Sequence, residues 1–443
     1  MKNILGLLLA GGDSTRIWPF AEKHLIPFSG KTLLERSLDL MQKAGVGQIV
    51  VVANKDNYHL FRSIQSNESD YRKIKLVIQK KTSGMSEAIL AAETFLKEKQ
   101  VLIISPSDVI EESLYTDLMN TIDRYHPDGI ITGTTVKEYF PGGYLSIKDE
   151  LVTDIIEKPD RKKLPGKIVK LVFDYFNNTE MLIKTMKTIR SKKDDVYEKS
   201  IVDLIAKNYR FRFQTYKGFW GYLKYPWHIL LLNSYFLKKI AGQNINAGNI
   251  DHTAKIIGQV HIGKNARILE NTKIIGPSFI GSGTIIGNNS IIREATIGNN
   301  CVVGYNTEVV RSHIGNNCWF HSNYIGDSVI CDNVSLGAGT TLANFRLDES
   351  SVKSIVSNTL VDTNRSKLGA MIGRNVRIGI NTSVMPGVKI GKNSLIGAGV
   401  YLNRDLAEGK ICQAQYLQNI ISQNKKYISS NFRSEIIKSL RFF

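Results

Sequence analysis

Hydrophobic positions follow two different patterns along the chain, and the change falls near residue 225. In the first part, short aliphatic runs alternate with stretches of helical periodicity. The runs QIVVVAN (48–54), KLVIQK (75–80) and QVLIISP (100–106) are rich in β-branched residues and end in a polar residue or proline, which is typical of buried strands. Strands that alternate with helices predict an α/β domain with a mainly parallel sheet covered on both faces.

Two helices are predicted between these strands. The stretch KTLLERSLDLMQKAG places one set of residues on a single helical face, namely Leu33, Leu34, Ser37, Leu38 and Met41. Gly45 is the expected stop signal of this helix. The stretch SEAILAAETFLKEK has a second apolar face, with Ser86 as the expected N-cap.

The second part of the chain repeats an aliphatic residue every six positions. The first register consists of Ile262, Ile268, Ile274, Ile280, Ile286 and Ile292. The same register returns at Ile372, Ile378, Val384, Ile390 and Ile396, and a glycine follows many of these residues. A six-residue step fits neither a helix nor a simple strand alternation. It predicts a parallel β-helix of hexapeptide repeats, in which three hexads complete one coil.

Between the two registers the spacing changes. Ile297, Ile314 and Ile325 require five-residue steps, and residues 343–369 contain no hexads. We therefore predict that 343–369 form a loop that leaves the coil, and long excursions of this kind are usually functional. The apolar stretch PWHILLLNSYFLKKIAGQN (226–244) is predicted to be a helix that connects the two parts.

These patterns divide the chain of 443 residues into four predicted segments. Residues 1–225 form the α/β domain and 226–248 the linker helix. Residues 249–408 form the β-helix, and 409–443 form a basic tail whose densest part, 425–443, is expected to be helical.

The composition indicates a globular protein and limits the classes of ligand that are expected. Hydrophobic residues make up 42% and charged residues 22%, and no apolar run is long enough to span a membrane. The apolar N-terminus has no cleavage pattern of a secretion signal, so we expect a first strand and a cytoplasmic protein. The net charge of +18 suggests anionic ligands, but the lysines are scattered and no nucleic-acid-binding motif accompanies them. Small anionic substrates are therefore favoured over nucleic acid. The four cysteines lack a C-x-x-C pair, so we expect reduced, buried thiols.

The stretch LLLAGGDSTRIWPF (7–20) carries the first candidate chemistry. A buried strand ends in Gly11 and Gly12, and Arg16 follows shortly afterwards. Backbone N–H groups in a glycine turn form a concave cluster of donors, and a guanidinium matches phosphate oxygens. This combination predicts a site for a polyanion, although an ordinary strand-to-helix turn would also contain glycines.

Several further motifs occur in order and resemble the sugar-1-phosphate nucleotidylyltransferases. LLLAGGDSTRIWPF with EKHLIPFSGKTLLE resembles the family's signature, and VIQKKTSGMSEAI resembles its nucleobase-reading segment. The resemblance implies that Gly11, Gly12 and Arg16 hold a nucleoside triphosphate and that Lys23 binds phosphate during transfer. It also implies that Gln79 and Gly84 bind the nucleobase.

The same resemblance continues through the first part of the chain. SPSDVI implies Asp108 as the Mg²⁺ ligand, and GGYLSIKDELVTDIIEKPD implies Gly143, Glu157 and Lys158 as the sugar-phosphate site. The implied reaction is in-line attack of a sugar phosphate on the α-phosphorus of the triphosphate, with release of pyrophosphate. Cations and a carboxylate-held Mg²⁺ suffice for this chemistry.

Some positions depart from the family pattern. Asp13 and Ser14 interrupt the glycine turn, and VKLVFDYF (169–176) replaces the sugar-binding Asn-x-Gly pattern. Two residues after Trp220, where many members have a second metal-binding aspartate, the chain has Tyr222. A degenerate first domain is therefore an alternative to an active one.

The β-helical part carries a second resemblance, which implies a second activity. HSNYIGDSVICDNVSLGAGTTLANFRLDESSVK and the hexads after residue 367 resemble the archaeal type of bifunctional N-acetylglucosamine-1-phosphate uridyltransferases, whose β-helix is left-handed. The resemblance implies that His321 is the base that accepts an amine proton from the amino sugar and that Asn344 positions the sugar or the oxyanion. It further implies that Tyr324 and Lys353 bind the sugar phosphate, with acetyl-CoA as acetyl donor. His261 and His313 match no motif and are expected to be structural.

The leading hypothesis is a bifunctional enzyme of nucleotide-sugar synthesis. It would acetylate a hexosamine 1-phosphate and then transfer a uridylyl or thymidylyl group from UTP or dTTP with Mg²⁺, as a homotrimer. One alternative is an acetyltransferase whose nucleotide domain only binds or regulates. Another is a non-enzymatic assembly subunit, because the arrangement also resembles guanine-nucleotide exchange subunits of eukaryotic translation initiation. The nucleobase and the sugar epimer stay open.

Overall fold

A computed structural model describes residues 1–12, 14–67, 71, 74–81, 84–191, 193–246 and 248–415. Asp13 and the helix expected over 425–443 lie outside the described residues. In the described part, no helix has the length and apolarity needed to cross a bilayer.

The first part of the chain forms a nine-stranded sheet. Its spatial order is Lys75–Ile78, Gln48–Ala53, Ile4–Leu9, Gln100–Ile104, Ile168–Phe176, Gly129–Thr135, Phe211–Thr215, Leu151–Glu157 and Gly143–Lys148. The first four strands are parallel, but Ile168–Phe176 is antiparallel to both of its neighbours. The expected mainly parallel sheet is therefore a mixed one. The hairpin Gly143–Glu157 gives one reason, because a tight turn can join only antiparallel strands.

Helices cover both faces of this sheet, as predicted. One face packs against Leu33–Lys43, Tyr58–Asn67 and Ser113–Tyr125, and the other against Gly84–Ala91, Glu93–Leu96, Glu180–Thr188 and Val196–Ala206. In the first helix Leu33, Leu34, Leu38 and Met41 are buried, and Thr32 and Glu35 form a capping box.

The prediction that Ser86 is an N-cap was wrong. The helix Gly84–Ala91 already begins at Gly84, and Ser86 lies inside its first turn. Gly84 has φ of +91°, and a Cβ there would lie 1.7 Å from Asp194 Oδ1, so the helix starts where only glycine fits.

Two short ribbons and two 3₁₀ turns also belong to this half. Two-stranded ribbons are formed by Pro27–Phe28 with Lys31–Thr32 and by Asp108–Val109 with Gly221–Tyr222. Thr15–Ile17 and Lys23–Leu25 are single turns of 3₁₀-helix that follow the first strand.

The second part winds into a parallel β-helix with three faces. The first face contains Gln243–Ile245, Val260–Ile262, Ser278–Ile280, Thr296–Ile297, His313–Ile314, Val329–Ile330, Met371–Ile372 and Lys389–Ile390. The second contains Asn249–Ile250, Arg267–Ile268, Ile285–Ile286, Val302–Val303, Trp319–Phe320, Ser335–Leu336, Arg377–Ile378, Leu395–Ile396 and Ile411–Cys412. The third contains Lys255–Ile257, Lys273–Ile275, Ile291–Arg293, Glu308–Val310, Tyr324–Gly326, Thr341–Leu342, Ser383–Val384 and Tyr401–Leu402.

The predicted repeat residues form the interior of this coil. The hexad isoleucines are almost fully buried in one continuous core, together with Cys301 and Cys318. Where the spacing shortens, the strands stay in register, since Ile280 pairs with Ile297 and Ile297 pairs with Ile314. The five-residue steps are therefore absorbed in the turns, and the stacked interior is preserved.

The excursion 343–369 leaves the coil, as predicted, but it is not irregular. Lys353–Val356 and Thr359–Asp362 form an antiparallel hairpin. Its two turn residues, Ser357 and Asn358, have φ of 46° and 63°, which is the left-handed geometry of a tight hairpin turn.

The helix His228–Lys238 lies between the two halves, inside the segment predicted as linker, and the first coil strand begins at Gln243. Its Asn233 accepts a hydrogen bond from Thr296 of the coil at 2.6 Å, while Phe236 packs on Phe28 of the first half. The excursion joins this interface, because Val352 and Leu368 pack in one cluster with Ile17 and Trp227. The halves are therefore packed against each other and share a small core.

Candidate active sites

A cleft of about 430 Å³ opens beside the glycine turn of the first half. The residues that the sequence assigned to this half all line it: Gly11, Gly12, Arg16, Lys23, Gln79, Gly84, Asp108, Gly143, Glu157 and Lys158. They come from six separate stretches of the chain. The fold thus brings the predicted nucleotide and sugar residues together, and their roles stay predictions.

Gly11 and Gln79 form one wall of the cleft. Gln79 donates from Nε2 to the Gly11 carbonyl at 2.8 Å, and a Cβ on Gly11 would lie 2.7 Å from Gln79 Cδ. Gly11 is therefore needed for the close approach of Gln79. Within the described residues, the buried Gln79 Oε1 has no hydrogen-bond partner. It is a spare acceptor suited to an N–H group of a ligand.

Arg16 and Lys23 lie on the two 3₁₀ turns and also line the cleft. In the described part of the chain, neither forms an ion pair within 4.0 Å. Burial and, to a lesser extent, the charge of Arg16 lower the pKa of Lys23 to about 8, while the charge of Asp108 opposes this change. Because neither cation has a carboxylate within ion-pair distance among the described residues, the two positive charges favour an anionic ligand.

Asp108 is held in a fixed orientation by two donors. Its Oδ1 accepts from the Trp220 indole at 3.1 Å and its Oδ2 from the Val172 amide at 2.9 Å. Tyr222 lies directly opposite Asp108 in the short ribbon, in the place where a second carboxylate was expected. Each carboxylate oxygen keeps a free lone pair, and Mg²⁺ is commonly bound by one carboxylate plus substrate phosphates. Asp108 therefore fits a metal shared with a phosphate ligand.

A buried ionic cluster in the cleft was missed from the sequence. Lys170 forms an ion pair with Asp174 at 2.5 Å, and Tyr197 donates to the same carboxylate at 2.7 Å. Burial raises the pKa of neighbouring Glu198 to about 7. The signal was present, because Lys170 and Asp174 are charged positions in the otherwise apolar strand Ile168–Phe176. Lys224, which also lines the cleft, was missed as well.

In the coil, Tyr324 and Asn344 converge on one point. A Cβ on Gly326 would lie 2.5 Å from Asn344 Nδ2 and 2.7 Å from the Tyr324 hydroxyl, so this glycine makes room for both. Asn344 donates to Asp327 at 2.6 Å, and Arg311 binds both oxygens of the same carboxylate at 2.8 and 2.6 Å. Asn344 is therefore fixed by a buried charge network that sequence reasoning did not identify.

His321 and Lys353 are placed differently. His321 is exposed at a corner of the coil, where its amide binds Asn323 Oδ1 at 2.6 Å and its ring stacks loosely on Trp319. Lys353 is the first residue of the hairpin, and Asp362 lies opposite it on the neighbouring strand. In the described part of the chain, neither side chain is hydrogen-bonded to Tyr324 or Asn344. The structure joins two of the four predicted residues directly.

The fold and these sites define a two-domain transferase, with a nucleotide-type cleft ahead of a hexapeptide β-helix. The nucleotidyl transferase family profile matches residues 5–221, and the bacterial transferase hexapeptide profile, which covers six repeats, matches residues 369–404.

Curated relatives extend over nearly the whole chain. The chain is 32% identical to the "Bifunctional sugar-1-phosphate nucleotidylyltransferase/acetyltransferase" of Sulfurisphaera tokodaii, over 91% of this chain and 98% of the relative. It is 30% identical to the "Bifunctional protein GlmU" of Methanococcus maripaludis strain C7 and of Methanocaldococcus jannaschii, covering 95% of each. The chain belongs to the family of bifunctional sugar-1-phosphate nucleotidylyltransferases/acetyltransferases. This relationship supports the two-activity hypothesis over the assembly and single-activity alternatives.

Proposed function

We propose that the enzyme acetylates a hexosamine 1-phosphate from acetyl-CoA and couples the product to a nucleotide, giving UDP-N-acetylhexosamine and pyrophosphate. The observation that carries this proposal is a cleft lined by Arg16, Lys23 and the oriented carboxylate of Asp108, in which neither cation has an ion-pair partner among the described residues. Such a site can neutralise two crowded phosphate groups and align them. Its substrates place the reaction in the cytoplasm.

In the first half, an oxygen of the sugar phosphate attacks the α-phosphorus of UTP or dTTP. The new P–O bond forms as the bond to the β-phosphate breaks, and pyrophosphate leaves. Arg16 and Lys23 offset the charge on the triphosphate, while Gln79 and Gly84 bind the base. Gly143, Glu157 and Lys158 bind the sugar phosphate. Asp108 would hold Mg²⁺, which when bound supplies positive charge to the phosphate oxygens.

In the β-helical half, His321 accepts a proton from the amine of the sugar. The amine nitrogen then attacks the thioester carbonyl, the C–S bond breaks, and coenzyme A leaves as the thiol. Asn344, fixed by Asp327, positions the sugar or stabilises the oxyanion, with Tyr324 beside it. Lys353 binds the sugar phosphate. Because His321 and Lys353 form no hydrogen bond to Tyr324 or Asn344 among the described residues, we infer that the site is completed at a subunit boundary.

A homotrimer would provide that boundary. The second face of the coil carries outward apolar residues in register, Ile285, Val302 and Trp319, and Trp319 is 51% exposed. A flat face with a stripe of this kind is suited to association of identical subunits.

Separate measurement of the two products tests the proposal. The enzyme is incubated with acetyl-CoA, UTP or dTTP, Mg²⁺ and each hexosamine 1-phosphate, while thiol and pyrophosphate are followed independently. We expect both products, with pyrophosphate also formed from an N-acetylhexosamine 1-phosphate without acetyl-CoA. Thiol without pyrophosphate would select the acetyltransferase with a degenerate first half, and the absence of both would exclude an enzyme of this class.

A further inference from the structure

The cleft of the first half contains more positive charge than its ion pairs neutralise. Among the described residues, its lining contains five cations, Arg16, Lys23, Lys158, Lys170 and Lys224, and four carboxylates, Asp108, Glu157, Asp194 and Glu198. Lys158 is paired with Glu157 at 2.9 Å and Lys170 with Asp174 at 2.5 Å. In the described part of the chain, no carboxylate lies within 4.0 Å of the Lys224 ammonium. Arg16 and Lys23 have assigned ligands, so Lys224 is the cation whose role is unexplained.

Neutral groups hold the Lys224 ammonium in place. Its Nζ donates to the Pro141 carbonyl at 2.5 Å and lies 3.6 Å from the centre of the Phe140 ring. A Cβ on Gly142 would lie 3.5 Å from the same nitrogen. The carbonyl of Gly142 in turn accepts a hydrogen bond from the Lys158 amide at 3.0 Å. The ammonium therefore lies against the loop that leads into the predicted sugar-phosphate residues.

The same lysine is close to the phosphate-transfer end of the cleft. It follows Tyr222, which is opposite Asp108 in the short ribbon, by two residues. Burial lowers the pKa of Lys224 to about 7, and the charges of Asp108 and Glu157 oppose this change. A part-buried cation whose partners are a carbonyl and an aromatic ring gains free energy when an anion reaches it.

We propose that Lys224 binds the phosphate group of the sugar 1-phosphate and draws it toward the α-phosphorus. The inference rests on the proposed nucleotidylyl transfer. The sugar phosphate is favoured over the triphosphate because Lys224 contacts the Pro141–Gly142 loop, whereas Arg16 and Lys23 follow the glycine turn. With Tyr222 in place of a carboxylate and an ammonium two residues later, this side of the cleft contributes positive charge directly to the substrate.

Steady-state kinetics of the full-length enzyme test this role. Lys224→Met keeps the length and apolar bulk of the side chain but removes its charge. We expect its KM for the sugar 1-phosphate to rise about tenfold to a hundredfold, the worth of one charged hydrogen bond, while its KM for UTP changes less than twofold. Lys224→Arg should recover part of the loss. Lys137→Met, at an exposed lysine outside the cleft, is the matched control and should leave both constants unchanged.

Two kinetic outcomes would overturn the proposal. A rise in the KM for UTP alone would assign Lys224 to the triphosphate, and unchanged constants would make it a structural residue. Thiol release by the second half and the thermal midpoint show whether Lys224→Met is folded. Calorimetry with the sugar 1-phosphate alone separates this inference from the proposed function. Binding that Lys224→Met weakens supports it even if no pyrophosphate forms, and equal binding to both proteins refutes it.

Discussion

The predicted role of Asp108 as a Mg²⁺ ligand depends on the negative charge of its side chain and not only on its shape. Both oxygens already accept hydrogen bonds, from Trp220 and Val172. Asp108→Asn keeps the size of the side chain and one acceptor. We expect pyrophosphate release to fall about 10²- to 10³-fold, a typical effect of losing one electrostatic contact to the transition state. Thiol release should be unchanged in the same variant, and a normal rate of pyrophosphate release would remove Asp108 from the mechanism.

His321 can be tested in the same single-residue way. His321→Ala removes the proposed base, so thiol release should fall about 10²- to 10⁴-fold. Pyrophosphate formation from an N-acetylhexosamine 1-phosphate should be retained. His261, which stacks on Phe279 at 4.6 Å, provides the matched control, since His261→Ala should leave thiol release near the wild-type rate. A rate of thiol release in His321→Ala as high as that of His261→Ala and the wild type would show that another group accepts the proton.

Residues near one another in sequence were easier to predict than those that meet only in the fold. Gly11, Arg16 and Lys23 follow a single strand, so their order along the chain already indicates a phosphate site. Lys224 and Lys170 come from segments distant from the glycine turn, and the local sequence does not indicate that the fold brings them to the same cleft as Asp108. The Asn344 site shows the same limit, because Arg311 and Asp327 are one coil apart and meet only after winding.

At the scale of elements, a buried lysine helps to hold the hairpin of the excursion on the coil. Lys389 of the coil, whose side chain is only 3% exposed, pairs with Asp405 at 2.7 Å. It also donates to Ser354 at 3.2 Å and to the Ile355 carbonyl, both in the hairpin. One ammonium thus connects the coil to the segment that carries Lys353 and adjoins Asn344.

Lys389→Met should therefore loosen the hairpin while leaving the coil folded. Because Asp405 is partly exposed, we expect a moderate cost of about 1–3 kcal/mol. The measurements are amide hydrogen exchange over 353–362, which should accelerate, and thiol release, which should fall. Lys392→Met removes an exposed lysine paired with Glu408 at 3.6 Å and should have little effect. Unchanged exchange in Lys389→Met would show that apolar packing alone holds the hairpin.

The elements themselves were predicted where periodicity marks them. The isoleucine hexads predicted the β-helix, because few structures are compatible with a repeat of six residues. The hairpin was missed because its two-residue turn, Ser357–Asn358, lacks the glycine that usually marks such a turn, although asparagine tolerates its left-handed φ. The antiparallel strands of the first sheet were not predicted, because the alternation of strands and helices in the sequence does not determine the direction of each strand.

For the whole molecule, the contact between the two halves includes a buried polar site that the periodicity of the sequence does not predict. His313 of the coil is 3% exposed, and its Nδ1 lies 3.3 Å from Asn233 Oδ1 on the connecting helix. Its ring packs on Phe28 of the first half at 5.3 Å. From sequence, His313 could be interpreted only as structural, because its two partners, Asn233 and Phe28, come from segments that are remote along the chain.

This interface should make the stability of the molecule depend on pH. Burial lowers the pKa of His313 to about 4, so the imidazole is neutral in the folded state. In the unfolded chain a histidine takes up a proton near pH 6.5. The stabilising contribution is therefore complete above pH 6.5 and is lost as the pH falls from 6.5 toward 4. Linkage gives a loss of about 2 kcal/mol between pH 7.5 and pH 5.

Thermal midpoints at pH 7.5 and pH 5 measure this effect. His313→Gln keeps a donor for Asn233 but cannot titrate, so its midpoint should fall less between the two pH values than that of the wild type. His228, whose pKa burial lowers to about 3, should preserve part of the acid sensitivity in the variant. The exposed His252 is the matched control, because His252→Gln should follow the wild type at both pH values. If His313→Gln lost as much stability as the wild type, the acid sensitivity would have to arise away from the contact between the halves.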